Sequence, residues 1–223
     1  MRTMKTNLSL LFAMMLSFQS CSLPFDFSSP PKSYYKLSAD LLYDKTYSTK
    51  SERIGVRDIS SDGFVDSHKV LFTGANGEVG YYQFASWVDS PAGALTDSLL
   101  LSLDRSKLFQ FVSRTTSGAV FDYQINGDLI DFSHETAPNK LSVHIVFRAE
   151  LVDLRTRQVI ATKVFDLNEP VTQNNVNGAI FGFNLGSQKL LSQVIAWLDE
   201  SVPKQAKPVE NLPEPTIGNT PAL

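Results

Sequence analysis

Three histidines, His68, His134 and His144, are the side chains best suited to move protons or hold a metal near neutral pH. None stands at metal-ligand spacing from another, and the HExxH pattern is absent. His144 falls on the polar side of an alternating run and reads as solvated. His134, with Glu135 beside it and Pro138 following, reads as a strand end, and the segment His134 to Lys140 reads as a link between strands. Among the carboxylates, Asp128 and Asp131 are three residues apart, which sends strand side chains to opposite faces. Asp122 and Asp128 share a face but stand about 20 Å apart at strand rise. Neither spacing makes an acid/base pair. Gly74-Ala75-Asn76-Gly77-Glu78-Val79-Gly80 is glycine-rich, yet it lacks the GxGxxG order and opens a strand, so no helix N-terminus is offered to a phosphate. A GxSxG nucleophile motif is also absent. The residues therefore assign no catalytic group, no metal ligand and no cofactor, and an enzyme is not expected.

Cys21 is the single cysteine of the chain. It can close no internal disulfide and build no thiolate metal site. Its position is more informative. Arg2 and Lys5 precede an apolar run through Leu8, Leu10, Leu11, Phe12, Met14, Met15, Leu16 and Phe18. A positive start followed by a short apolar run is a secretory signal, and the run is shorter than the roughly 20 residues a bilayer span needs. Phe18-Gln19-Ser20 before the cysteine is an imperfect lipobox, with Phe18 in place of the usual Leu and a large Gln19. Residues 1–20 are thus expected to be a lipoprotein signal peptide and Cys21 the lipid attachment site, carrying acyl chains such as palmitate. By resemblance to enteric lipoproteins, Ser22 rather than Asp after the cysteine implies export to the outer membrane.

Composition supports one folded body between flexible ends. Of 223 residues, 43% are hydrophobic and 19% charged, and the net charge of −3 comes with no basic cluster, so no nucleic-acid partner is expected. Residues 21–32, with Pro24, Pro30 and Pro31, read as a Pro/Ser-rich tether. Residues 203–223, with five prolines, read as a disordered tail. Residues 33–202 form the folded part. Phe121, Tyr123, Ile125 and Leu129 alternate with polar residues. So do Leu141 through Leu151, and Val159, Ala161, Phe165 and Leu167. These are three antiparallel strands with one apolar face, the last two joined by a hairpin at Arg155 to Gln158. Arg53 to Ile59 and Val79 to Phe84 read as further strands, with a hairpin at Asn76-Gly77. Ser90-Pro91 starts a helix with Leu95, Leu99 and Leu103 on one face, and Leu99-Leu100-Leu101 predicts deep burial. A second helix is predicted from about Ser187 to Ser201. The expectation is an α+β fold, a mostly antiparallel or mixed sheet with two main helices packed on one face.

The stretch YYQFASWVDSPAGALTDSLLLSLDRSKLFQFV, Tyr81 to Val112, is more specific. An aromatic strand (Tyr82, Phe84), Trp87, a Pro-opened helix (Pro91) with its leucine ladder, and an aromatic-led strand (Phe109, Val112) follow in order. This resembles the ABC-type transport auxiliary lipoprotein family, which includes the paraquat-inducible protein C lipoproteins. Tyr34-Tyr35-Lys36-Leu37, Tyr123 to Phe132, Ala149 to Asp153 and the closing LLSQVIAWL extend the resemblance over most of residues 33–202. It implies an outer-membrane lipoprotein facing the periplasm. Its role would be a non-catalytic docking component of an MCE-type (mammalian cell entry) ABC system for intermembrane lipid transport, with a periplasmic MCE-domain protein as partner. A periplasmic lipid-binding carrier and a cell-envelope assembly lipoprotein unrelated to transport are the alternatives, and lipid or a second copy of the chain are further partners left open. Trp87, Tyr82, Phe181 and Phe183 are the candidate contact residues. Trp87 either plugs the helix–sheet core or faces a partner, and Ala179 to Leu185 is either a mobile contact loop or part of the core.

Overall fold

The computed structural model describes residues 30–39 and 47–203. The expected signal peptide, Cys21, the expected tether through residue 29 and the expected tail from residue 204 lie outside the described residues. All elements below belong to the unit Lys32–Leu223. Nine strands and two α-helices occur among the described residues: β1 (Ser33–Tyr35), β2 (Lys50–Val56), β3 (Ser60–Ser61), β4 (Lys69–Thr73), β5 (Val79–Trp87), α1 (Pro91–Ser106), β6 (Phe109–Arg114), β7 (Tyr123–Ala137), β8 (Lys140–Asp153), β9 (Gln158–Pro170) and α2 (Val176–Ser201).

Alternating sequence makes β7, β8 and β9 an antiparallel meander, in register from Tyr123↔Asp153 to Ala137↔Lys140 and from Asp153↔Gln158 to Ser142↔Pro170. The opposite edge of β7 is shared by three short parallel partners. Ile54–Val56 of β2 pair with Tyr123–Ile125, β3 with Asp128–Leu129, and Phe72–Thr73 of β4 with His134–Glu135. Outside these, β6 runs parallel to β2, β5 antiparallel to β4, and β1 parallel to β5. The sheet is therefore mixed. The β4–β5 hairpin turns at Gly77, whose φ of 74° lies in the left-handed region where a Cβ is costly.

Helix α1 packs on β2 and β6, α2 packs on β8 and β9, and the two helices touch each other. The Ser90 side chain accepts a hydrogen bond from the Gly93 N–H at 3.3 Å, and Pro91 opens α1 as expected. Leu95, Leu99 and Leu103 are buried, each contributing about 1.5–3 kcal/mol against an exposed position. The burial predicted for Leu101 does not hold. It is 43% exposed, because a helix with one neighbouring sheet buries one stripe, and Leu101 falls off it.

The second helix begins eleven residues earlier than the apolar ladder suggests, at Val176 after the Asn175 cap, whose Oδ1 accepts from Gly178 N–H at 3.0 Å. The run Ala179 to Leu185 is thus helix rather than loop. Its glycines conceal it, since each costs a helix about 1 kcal/mol. They are needed for close approach. A Cβ on Gly182 would stand 2.5 Å from Val171 Cγ1 and 2.8 Å from Val143 Cγ2, and one on Gly186 would stand 2.9 Å from Ile145 Cδ1.

Three strand details also differ from expectation. β7 continues to Ala137, so His134 lies inside a strand and only Pro138-Asn139 turn the chain. A register shift between Leu129 and Asp131 adds one residue to β7, and Asp128 and Asp131 then oppose Arg148 and Val146, two residues apart on one face of β8. They share a face instead of opposing. A second shift at Leu151/Val152 turns Val159 outward, where it is 53% exposed. Period-two reading cannot anticipate an inserted residue that reverses every side chain beyond it.

Candidate functional site

The four aromatic residues expected at a contact surface separate by burial. Trp87 and Phe183 are core: Phe183 stacks on Phe132 with ring centroids 4.3 Å apart, and Trp87 meets Phe183 edge-on at 5.4 Å. Tyr82 is half-buried beside Phe72. Phe181 is 67% exposed. Two residues apart on a helix, Phe181 and Phe183 project to nearly opposite sides, so one enters the core and the other faces solvent. The first turns of α2 are held in place from outside. The Tyr35 hydroxyl reaches Asn177 Oδ1 at 3.4 Å, and the Ser38 N–H donates to Asn184 Oδ1 at 2.8 Å. Phe181 therefore stands on a rigid element, between the two asparagines that clasp the N-terminal segment.

The polar face of the meander is internally matched. His144 is bracketed by Asp131 and Asp166, each at 2.9 Å, and its side chain is only 20% exposed, so it is a cross-strand tie rather than a freely solvated group. Arg148 joins Asp128 and Glu150. Burial works against the Glu135 carboxylate, but hydrogen bonds from Lys140 and Ser142 outweigh it and hold its pKa below the usual value. With its groups so committed, this face has little to offer a ligand.

His134 is fully buried. Its Nδ1 shares a hydrogen bond of 2.7 Å with the Tyr82 hydroxyl, and its Nε2 has no hydrogen-bond partner among the described residues. Burial lowers the His134 pKa and raises that of Tyr82, so both stay neutral near pH 7. Enclosure of the imidazole fits a structural role.

At the far end of the sheet, the starts of β2 and β7 and the β8–β9 turn meet the C-terminus of α2 around a cavity of about 940 Å³. Arg53 and Asp122 pair at 3.2 Å on its wall. Arg155 and Asp153 pair at 3.3 Å, and Asp153 also accepts the N–H groups of Arg155 and Thr156. Burial opposes ionisation of Asp122 and Asp153, yet these bonds and the guanidinium charges keep both pKa values low. Glu52 lines the same cavity. The sequence reading missed this cluster. Its signal was there: Glu52 precedes Ile54 and Val56 at period two, a charge on a strand's apolar face. Among the described residues no group of three or more His, Cys, Asp and Glu could hold a metal, and no helix is long and apolar enough to cross a membrane.

Residues 35–194 match the family model described as ABC-type transport auxiliary lipoprotein component. The chain belongs to this family. Members of this auxiliary lipoprotein family serve a transport system, which implies a location in the cell envelope. The fold agrees with solved structures. Protein XCC0632 from Xanthomonas campestris superposes with a TM-score of 0.69 at 18% identity, covering 76% of this chain and 96% of that one. Hypothetical protein CT253 from Chlamydia trachomatis gives a TM-score of 0.51 at 9% identity, covering 68% and 98%. No curated protein matches the sequence. The family match begins at Tyr35, the last residue of β1, and ends at Val194 in α2, so it takes in β2 to β9, Phe181 and the strand and turn residues that line the Glu52 cavity.

Proposed function

We propose that this auxiliary lipoprotein is a non-catalytic docking component of an MCE-type ABC system for lipid transport between membranes, held at the outer membrane by acylated Cys21. The observation that carries the docking role is Phe181, a large aromatic residue left two-thirds exposed on a helix whose adjacent residues are locked into the core. Aromatic anchors on rigid elements are the usual centres of protein interfaces. Trp87 and Phe183 support the site by fixing α2 from beneath, and Tyr82 lies elsewhere in the same sheet. Family membership supports the transport setting.

The test is photo-crosslinking from position 181 in the intact envelope, with mass spectrometry of what is captured. An MCE-domain protein is the expected product, and loss of the product in Phe181→Asp is expected with protein levels unchanged. Cys21→Ser is expected to release the protein from the membrane fraction. A crosslinker at 181 that captures nothing, in cells where the MCE system is expressed, refutes docking through this residue.

A further inference from the structure

Glu52 is 8% exposed, yet among the described residues it accepts no hydrogen bond and forms no ion pair. A carboxylate without a partner that lines a cavity is open to a cation entering it. Glu52 lines the end cavity, and its charge acts on the phenol of Tyr123, which lines the same cavity. The carboxylates of Asp122 and Asp153 are already taken by Arg53 and Arg155, so the cavity holds three carboxylates against two guanidinium groups. Of the three, Glu52 alone has no ion-pair partner among the described residues. The guanidiniums are less fully used. Arg53 spends its Nε on Asp122 and Arg155 one Nη on Asp153, while each carries five N–H donors. Phe111 and Ile160, 43% and 40% exposed, add apolar wall.

We propose that this cavity binds an aminoalkyl phosphate, a small zwitterion with an ammonium linked to a phosphate. The ammonium sits against Glu52 and Tyr123. The phosphate takes the spare donors of Arg53 and Arg155, which suit planar multidentate contact with phosphate oxygens. Any chain attached to the phosphate lies along Phe111 and Ile160. The volume falls within the range of small-ligand sites. The same chemistry comes from two sources, a phospholipid headgroup or a free amino phosphate. The site is independent of docking at Phe181, because the C-terminus of α2 lies about 30 Å along the helix from that residue.

Titration calorimetry on the full chain tests this with two probes, O-phosphoethanolamine and monomeric lysophosphatidylethanolamine. Saturable binding of phosphoethanolamine is expected, at least about tenfold tighter than that of ethanolamine or glycerol 3-phosphate alone. Glu52→Gln and Arg155→Ala are each expected to weaken it about tenfold. Glu52→Gln removes an unpaired charge, so its unfolding midpoint is expected to match or exceed that of the parent, which separates lost binding from lost fold. A lysolipid that binds at least about tenfold tighter than the free zwitterion assigns the site to a lipid headgroup, and equal affinity assigns it to a soluble amino phosphate. No saturable binding of either probe up to about 10 mM, or affinity unchanged in Glu52→Gln, overturns the proposal.

Discussion

Phe183→Ala and Phe181→Ala remove the same side chain two residues apart on one helix, and their outcomes are expected to differ by several kcal/mol. Phe183 is fully buried, stacked on Phe132 and met edge-on by Trp87. Phe→Ala in a core costs about 3–5 kcal/mol. Two aromatic pairings are lost at once here, each worth about 0.5–1.5 kcal/mol beyond area, which places the expected cost near the top of that range. At about 2–4 °C per kcal/mol for a body of this size, the unfolding midpoint falls by about 6–20 °C. Phe181 is 67% exposed, and Phe181→Ala is expected to stay within about 0.5 kcal/mol of the parent. Urea unfolding followed by tryptophan fluorescence measures both, and Trp87 reports directly on the space Phe183 leaves. Equal losses in the two variants, or less than about 1 kcal/mol for Phe183→Ala, would refute the division of α2 into a core side and a contact side.

Gly182→Ala improves intrinsic helix propensity by about 1 kcal/mol but drives a methyl into Val171 and Val143, so a net loss of about 1–3 kcal/mol is expected in chemical denaturation. A gain would mean that α2 does not lie so close to the sheet. Burial lowers the pKa of His134, so below about pH 6.5 the unfolded chain binds a proton that the folded one refuses. Stability is expected to fall as pH drops through that value, by up to about 1.4 kcal/mol per pH unit, levelling off below the lowered folded pKa. His134→Gln is expected to remove this component when midpoints are compared from pH 7.5 to 5. Asp122 and Glu135, whose carboxylate pKa values are also lowered, contribute stability that is lost only as pH falls further, below about 4. Ser90→Ala is expected to cost about 1 kcal/mol through the lost α1 cap, read from the same unfolding curves.

Much of the architecture is legible in local sequence because the signals are local. The β7–β8–β9 alternation, the Asn76-Gly77 turn and the Ser90-Pro91 start with its leucine ladder each specify backbone geometry from a few neighbouring residues, and each appears where expected. So does the order of motifs from Tyr81 to Val112, on which family membership was legible. What local pattern does not carry is distance between elements. Gly182 looks like a helix breaker until the sheet beneath it is in place, and then a Cβ there would run into Val171 and Val143. A single extra residue at the Leu129/Asp131 bulge brings Asp128 and Asp131 to one face, and no periodicity announces it. The candidate sites follow the same rule. The residue types of Phe181 and Phe183 are identical, so only packing assigns one to the core and the other to solvent. Glu52, Tyr123 and Arg155 lie on different strands and a turn, and only the assembled end of the sheet brings a carboxylate without a partner among the described residues and two guanidiniums around a common space. Sequence determines what each element is, since dihedral preference and hydrophobic period act within a few residues. Tertiary structure decides what each side chain meets, since burial and charge pairing depend on residues far apart along the chain.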